Sequence, residues 1–155
     1  MSDDHLIRVV IPGVPVAQGR PRATVVGGHA RVYSPKPAAD WRGRAQVLMI
    51  DAADAAGAQE QGSAVGPGIP LRVEVDAYWP QPTSTPKRDR GRVAWRPSRP
   101  DGDNILKAVQ DAGNGVLWHD DAQIVEASVR KFVAAYGAPP RVEIRVALAD
   151  EAQRT

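Results

Sequence analysis

The 155-residue chain has no cysteine. That excludes disulfides, zinc–thiolate sites and thiol catalysis, and it fits a cytoplasmic protein. No apolar run approaches the length of a membrane span. The opening Met1-Ser2-Asp3-Asp4-His5 is acidic and polar, so no secretory signal is expected. The three histidines do not lie at metal-ligand spacing, which argues against a zinc site. Net charge is only +2, so overall charge does not announce a nucleic-acid binder. Lysine is scarce, four residues against sixteen arginines. That bias has two readings, a GC-rich genome or phosphate binding.

What the chain does have is the length of one domain with a proper core. Leu6 to Ile11 reads as a buried strand stopped by Pro12-Gly13-Val14-Pro15. Residues 25 to 33 read as a hairpin around Gly27-Gly28. Trp41, Ala45, Leu48, Met49 and Ala52 follow the helical period in a helix from about Ala38 to Ala56. Residues 57 to 68 read as a loop. Leu71 to Trp79 alternates as a half-buried strand, and 80 to 100 reads as a long irregular loop with five prolines. After a second helix, Gln123 to Phe132 and Arg141 to Leu148 read as strands that form an antiparallel pair. In the first of these, Val125, Ala127, Val129 and Lys131 share one side. The expected fold class is α+β, a small mixed β-sheet with flanking helices in a single domain.

The organising stretch is Arg99-Pro100-Asp101-Gly102-Asp103-Asn104-Ile105-Leu106-Lys107, followed by Val116-Leu117-Trp118-His119-Asp120-Asp121-Ala122-Gln123. Pro100 biases Arg99 away from helix, and Asp101 or Asp103 can cap the first turn. Ile105, Leu106, Val109, Ala112 and Gly113 fall on one side of the helix. Asp103, Lys107, Gln110, Asp111 and Asn114 fall on the other. Gly113-Asn114-Gly115 can end it. Mg²⁺, with Mn²⁺ as an alternative, takes hard oxygen ligands, and Gly102 lets the backbone bend between two carboxylates. One of Asp120 and Asp121 can return to that site. Lys107 can contact a scissile phosphate or stabilise developing charge. Each feature also has a plainer reading: a capped turn, a solvated lysine paired with Asp103 or Asp111, Trp118 in the core, His119 exposed.

From Lys87 to Arg99 there are six basic residues, Lys87, Arg88, Arg90, Arg92, Arg96 and Arg99, against the single acid Asp89. Arginine suits bidentate phosphate contacts, and most protein–DNA contacts go to the backbone. Trp95 lies among them and could wedge into or stack on a base. Arg20 and Arg22 join this patch if the N-terminal loop folds toward it. The plainer reading of the segment is a solvated loop.

These residues resemble the RusA family of Holliday-junction resolvases. The likeness runs from Arg99-Pro100-Asp101-Gly102-Asp103-Asn104 through Lys107 to Trp118-His119-Asp120-Asp121-Ala122-Gln123-Ile124. Ile11-Pro12-Gly13, Gly19-Arg20-Pro21-Arg22 and Tyr33-Ser34-Pro35-Lys36 are similar to the family's N-terminal part. The resemblance implies an Mg²⁺-dependent homodimer that nicks four-way junction DNA symmetrically, of a kind commonly encoded by phages and prophages and acting in a bacterial or phage-infected cytoplasm. It implies metal-binding and catalytic roles for Asp101, Asp103 and Asp121, with Asp120 as the alternative, and a catalytic role for Lys107. Gly102 replaces a larger apolar residue, and Gly113 stands where a leucine is usual. Both are expected to loosen the helix.

The expected function is therefore a structure-selective endodeoxyribonuclease of recombination and repair, with four-way junction DNA as partner and no small-molecule cofactor. Two rival readings are a branched-DNA binding protein without catalysis, and a metal nuclease acting on forks, flaps or RNA.

Overall fold

The structure, a computed structural model, describes residues 4–18, 22–33, 36–57 and 62–151. In chain order the strands are β1 (His5–Pro12), β2 (Arg22–Val26), β3 (His29–Tyr33), β4 (Leu71–Trp79), β5 (Ala94–Trp95), β6 (Ile124–Val133) and β7 (Arg141–Leu148). Two α-helices are α1 (Lys36–Ala55) and α2 (Gly102–Gly113). Five strands form one sheet in the order β1-β7-β4-β6-β5, and β2 and β3 pair separately as the expected hairpin. The fold is α+β with a mixed sheet, because β4 and β6 run parallel while the other neighbours are antiparallel.

The sheet order corrects one expectation. β6 and β7 are not neighbours, since β4 lies between them and pairs with both. The reason is the crossover. A chain that returns parallel to β4 must cross a face of the sheet, and α2 makes that crossing. β6 also departs from strict alternation. Leu71 pairs with Ile124 and Arg72 with Glu126, so Val125 is the extra residue of a bulge and is 63% exposed.

Both helices cover one face of the sheet. Ile7, Val9 and Ile11 of β1, Leu71, Val73 and Val75 of β4, and Val142, Ile144 and Val146 of β7 meet Trp41 and Met49 of α1 and Ile105 and Val109 of α2 in one buried cluster. Burying each such side chain contributes about 1.5–3 kcal/mol. The other face carries Arg72, Glu74, Asp76, Tyr78, Arg130, Phe132, Arg141 and Arg145, and among the described residues no helix covers it.

The segment from 80 to 100 is not irregular throughout. It contains a 3-10 turn at Lys87–Asp89, and β5 pairs with the end of β6. Arg90 holds the turn, donating to the Thr85 carbonyl at 3.0 Å and the Thr83 carbonyl at 3.1 Å. Lys131 on β6 donates to the carbonyls of Ser98 and Pro100, each at 2.8 Å, and so fastens the chain where it enters α2. Among the described residues no helix is long and apolar enough to cross a membrane.

Candidate active site

α2 begins as the Pro100 argument requires. Asp101 is its N-cap with extended backbone, and its main-chain carbonyl accepts from Asn104 and Ile105. The Asp101 carboxylate makes no capping bond and is exposed, so the plainer reading of a capped turn does not account for it. Asp103 is exposed and, among the described residues, accepts only from the adjacent Asn104 N–H, at 3.0 Å. Lys107 is exposed one turn on and forms no ion pair with Asp103 or Asp111 among the described residues. Gln18 donates to the Asn104 carbonyl at 3.2 Å, which ties the loop after β1 to this first turn.

The second acidic pair divides its work. Asp120 caps the short 3-10 turn of residues 121–123: its Oδ1 accepts from the Ala122 N–H at 3.1 Å, while its own N–H donates to Gln123 Oε1 at 2.9 Å. Asp121 is half-buried and accepts from Trp118 Nε1 at 2.7 Å. Burial pushes its carboxyl above the usual carboxylate range against the Trp118 bond. The negative charges of Asp111 and Asp120 add to the rise, and the Lys107 charge opposes it.

Trp118 is fully buried, as expected for a core residue, and its ring lies on Gly113. A Cβ on residue 113 would sit 2.6 Å from Trp118 Cζ2. Gly113 therefore does not loosen the packing; it is the room the indole occupies while it holds Asp121. Gly102 is different, because a Cβ there would make ordinary contact with Val129 at 3.6 Å.

The acidic residues thus lie along a strip rather than around a point. Asp103, Lys107 and Asp111 are spaced by one turn each on α2, so Asp103 and Asp111 are about 12 Å apart along the axis. Asp101 and Asp103 lie at the start of α2 and Asp111 near its end, with Lys107 between them, and Asp121 is near enough to feel the charges of Asp111 and Lys107. All donors are hard oxygens, the type that suits Mg²⁺. Among the described residues, however, no three Asp, Glu, His or Cys side chains are gathered closely enough to hold an ion. The donor set fits the metal in kind, while its members remain apart.

The basic segment also divides. Arg90 is spent on Thr83 and Thr85, and Arg96 packs over the Trp79 ring at 4.6 Å and donates to the Arg99 carbonyl at 2.9 Å. Lys87, Arg88, Arg92 and Arg99 are exposed. Arg20 and the side chain of Arg22 lie outside the described residues. His119 is exposed, as expected.

Two positioning residues were not evident from the sequence. Gln123 is buried and donates to the carbonyls of Gly66 at 2.7 Å and Ile69 at 3.1 Å, which anchors the turn carrying Asp121. Lys131 fixes the approach to Asp101. A buried glutamine can be suspected from the capping pattern Asp-x-x-Gln. No sequence signal points to Lys131, because its partners are main-chain atoms.

Carboxylates and a lysine at a helix entrance, beside a fastened basic segment, are residue types suited to chemistry on a phosphodiester. The sequence model of the family described as Endodeoxyribonuclease RusA matches residues 12–147. The chain belongs to this family, and its membership assigns it endodeoxyribonuclease activity. It is also similar to the uncharacterized protein YqaN of Bacillus subtilis (strain 168), at 32% identity over 148 residues, covering 90% of this chain and 94% of that one.

Proposed function

We propose that this protein is an Mg²⁺-dependent, structure-selective endonuclease that resolves four-way DNA junctions by paired symmetric nicks. The observation that carries the reading is the row of exposed carboxylates and lysine along the first turns of α2, with Asp121 on the turn that follows it. The Asp101 carboxylate makes no capping bond, the exposed Asp103 carboxylate takes one bond, from the adjacent Asn104 N–H, and Trp118 holds Asp121 half-buried where it feels the charges of Asp111 and Lys107. Asp101, Asp103 and Asp121 would hold the metal. Asp121 is preferred to Asp120 because the Asp120 carboxylate is spent on a cap. A bound Mg²⁺ supplies charge neutralisation at the phosphate and activation of water.

Lys107, between the two acidic groups, would bind the phosphate and stabilise charge that develops on it. Lys87, Arg88, Arg92 and Arg99 would neutralise flanking phosphates, with Arg90 and Arg96 holding the segment in shape. We take the active form to be a homodimer, since a two-fold dimer presents two identical sites to a junction of approximate two-fold symmetry. The setting would be DNA recombination and repair in the cytoplasm of a bacterial or phage-infected cell.

The test is cleavage of a mobile four-way junction, a fork, linear duplex and single-stranded DNA in Mg²⁺ or EDTA, beside Asp103→Asn. The expected result is paired symmetric nicks in the junction, lost in EDTA and in the variant. Equal cutting of forks or flaps would replace junction selectivity with broader nuclease action. A second reading, a non-catalytic junction-binding protein, draws on one observation: no three of the acidic side chains are gathered into an ion-sized group. Tight junction binding with no nicks in Mg²⁺ would favour it.

A further inference from the structure

On the face of the sheet away from the helices, one rung crosses four strands. Trp95 of β5 pairs with Phe132 of β6, Phe132 with Tyr78 of β4, and Tyr78 with Arg141 of β7. The side chains along this rung form a continuous stack. The Arg141 guanidinium lies 3.9 Å over the Tyr78 ring. The rings of Tyr78 and Phe132 are 5.0 Å apart at 21°, and those of Phe132 and Trp95 are 4.9 Å apart at 20°. β5 ends the sheet, so the stack ends at Trp95 with one indole face covered by Phe132 and nothing beyond it in the sheet.

Trp95 is 69% exposed, whereas Trp41, Trp79 and Trp118 are at most 5% exposed. Leaving an indole in water forgoes a large apolar burial. Exposed Arg88, Arg92 and Arg99 lie on the same segment, so the surroundings of the ring suit an anion-bearing partner. Six residues further on, the chain reaches Asp101, fastened by Lys131, the neighbour of Phe132 on β6.

We propose that Trp95 continues this stack with an unpaired nucleobase of the DNA substrate. The proposal rests on the DNA-acting reading above. A base inside a duplex is already stacked on both faces. One at a branch, gap or fork has a free face, so the ring selects DNA in which pairing is interrupted. Stacking of this kind tolerates any base, because every base has a π-face. Trp95 thus supplies structure selectivity from the sheet edge, while the arginines supply general affinity.

The test uses the whole protein in EDTA, with a duplex carrying a short single-stranded gap and a continuous duplex of the same length. In the wild type, acrylamide quenching reads Trp95, the one exposed tryptophan among the described residues. The gapped DNA is expected to remove the quenchable component, and the continuous duplex to leave most of it. By anisotropy, Trp95→Ala should lower the ratio of gapped to continuous affinity by roughly tenfold, and Trp95→Phe should restore most of it. An unchanged ratio in Trp95→Ala, or equal shielding by both DNAs, overturns the proposal. Shielding that follows protein concentration without DNA assigns the ring to contact with a second copy and also overturns it. Cleavage by the wild type in Mg²⁺ is scored separately: no cutting of any DNA sinks the nuclease reading, while the affinity ratio still decides the role of Trp95.

Discussion

On the open face of the sheet, Asp76 is 2% exposed and accepts bonds from Arg130 Nε at 2.7 Å, a second Arg130 nitrogen at 2.6 Å and Arg145 at 3.0 Å. At the entrance to α2, Asp101 is exposed and its carboxylate makes no capping bond. The charge-rich open face looks more like a functional surface than the helix entrance does. Its charges nevertheless close on one another: Glu74 takes His5, Arg72 takes Asp4 and Asp150, and Arg141 takes Glu143. A carboxylate whose lone pairs are filled by the protein has nothing left for a ligand. A carboxylate left empty, though a capping bond lay within reach, is available for one.

That contrast is broken most directly by exchanging the same atoms in both places. Asp103→Asn is expected to lower Mg²⁺-dependent cleavage by at least about a hundredfold, since losing a metal ligand costs more than losing an outer-shell partner. Its stability should stay within about 0.5 kcal/mol of wild type, as for other exposed sites. Cleavage surviving in Asp103→Asn would show that the exposed carboxylates at the entrance to α2 are not the reactive ones.

Asp76→Asn should behave in the opposite way. It leaves two guanidiniums facing a neutral amide, at a cost of about 2–3 kcal/mol, less than for a fully buried pair because Arg130 is half exposed. Cleavage per folded molecule should persist. The pH dependence follows the same logic. Burial pushes the Asp76 carboxyl up, but the bonds and charges of Arg130 and Arg145 outweigh it and hold the group below the usual range. Its contribution is therefore complete above the ordinary carboxylate pKa and is lost as pH falls through the lower folded value. Asp76→Asn should flatten that acid limb of a Tm-against-pH curve. Asp121 has the reverse sign. Its folded pKa is raised, so ionising it costs stability as pH rises from the ordinary carboxylate value through the folded one. Asp121→Asn should raise Tm slightly at neutral pH while removing cleavage.

Gly113→Ala comes next in size. The new Cβ would lie 2.6 and 2.7 Å from two atoms of the Trp118 ring, in a site where neither can withdraw. Overpacking of this kind costs about 1–3 kcal/mol. Because Trp118 donates to Asp121, cleavage should fall together with Tm. A variant that loses stability and keeps full activity would separate the indole from the site.

Much of this arrangement was legible in the sequence. Period-two and period-3.6 patterns placed β4 and β7 at their observed limits and β1, the β2–β3 hairpin, α1 and β6 within a few residues, and Pro100 with Asp101 marked the start of α2, whereas β5 lay in a segment read as irregular. Two things were not legible. Sheet order depends on where the crossover lies, and no residue of β6 or β7 announces that β4 intervenes. The division of the basic segment was hidden too, since Arg90 and Arg96 are spent on carbonyls and rings whose positions only the fold supplies. Gly113 shows a third limit. Read along the helix it is a weak residue; read against Trp118 it is the residue that fits.

The smallest expected effect is at Gly102, and it sharpens the comparison between the two glycines of α2. Gly102 sits in the first turn between Asp101 and Asp103, with helical backbone and no positive φ. A Cβ there meets Val129 Cγ1 at 3.6 Å and Val129 Cβ at 3.8 Å, which is ordinary packing. Gly102→Ala should therefore remove unfolded-state entropy without strain and stabilise by about 0.5 kcal/mol. The two carboxylates keep their backbone positions, so cleavage should stay within about a factor of two. Thermal melting and a cleavage time course read both outcomes. A gain in Tm with a large loss of cleavage would mean that the glycine serves the site by letting the chain bend between Asp101 and Asp103, and not merely by leaving Val129 uncrowded.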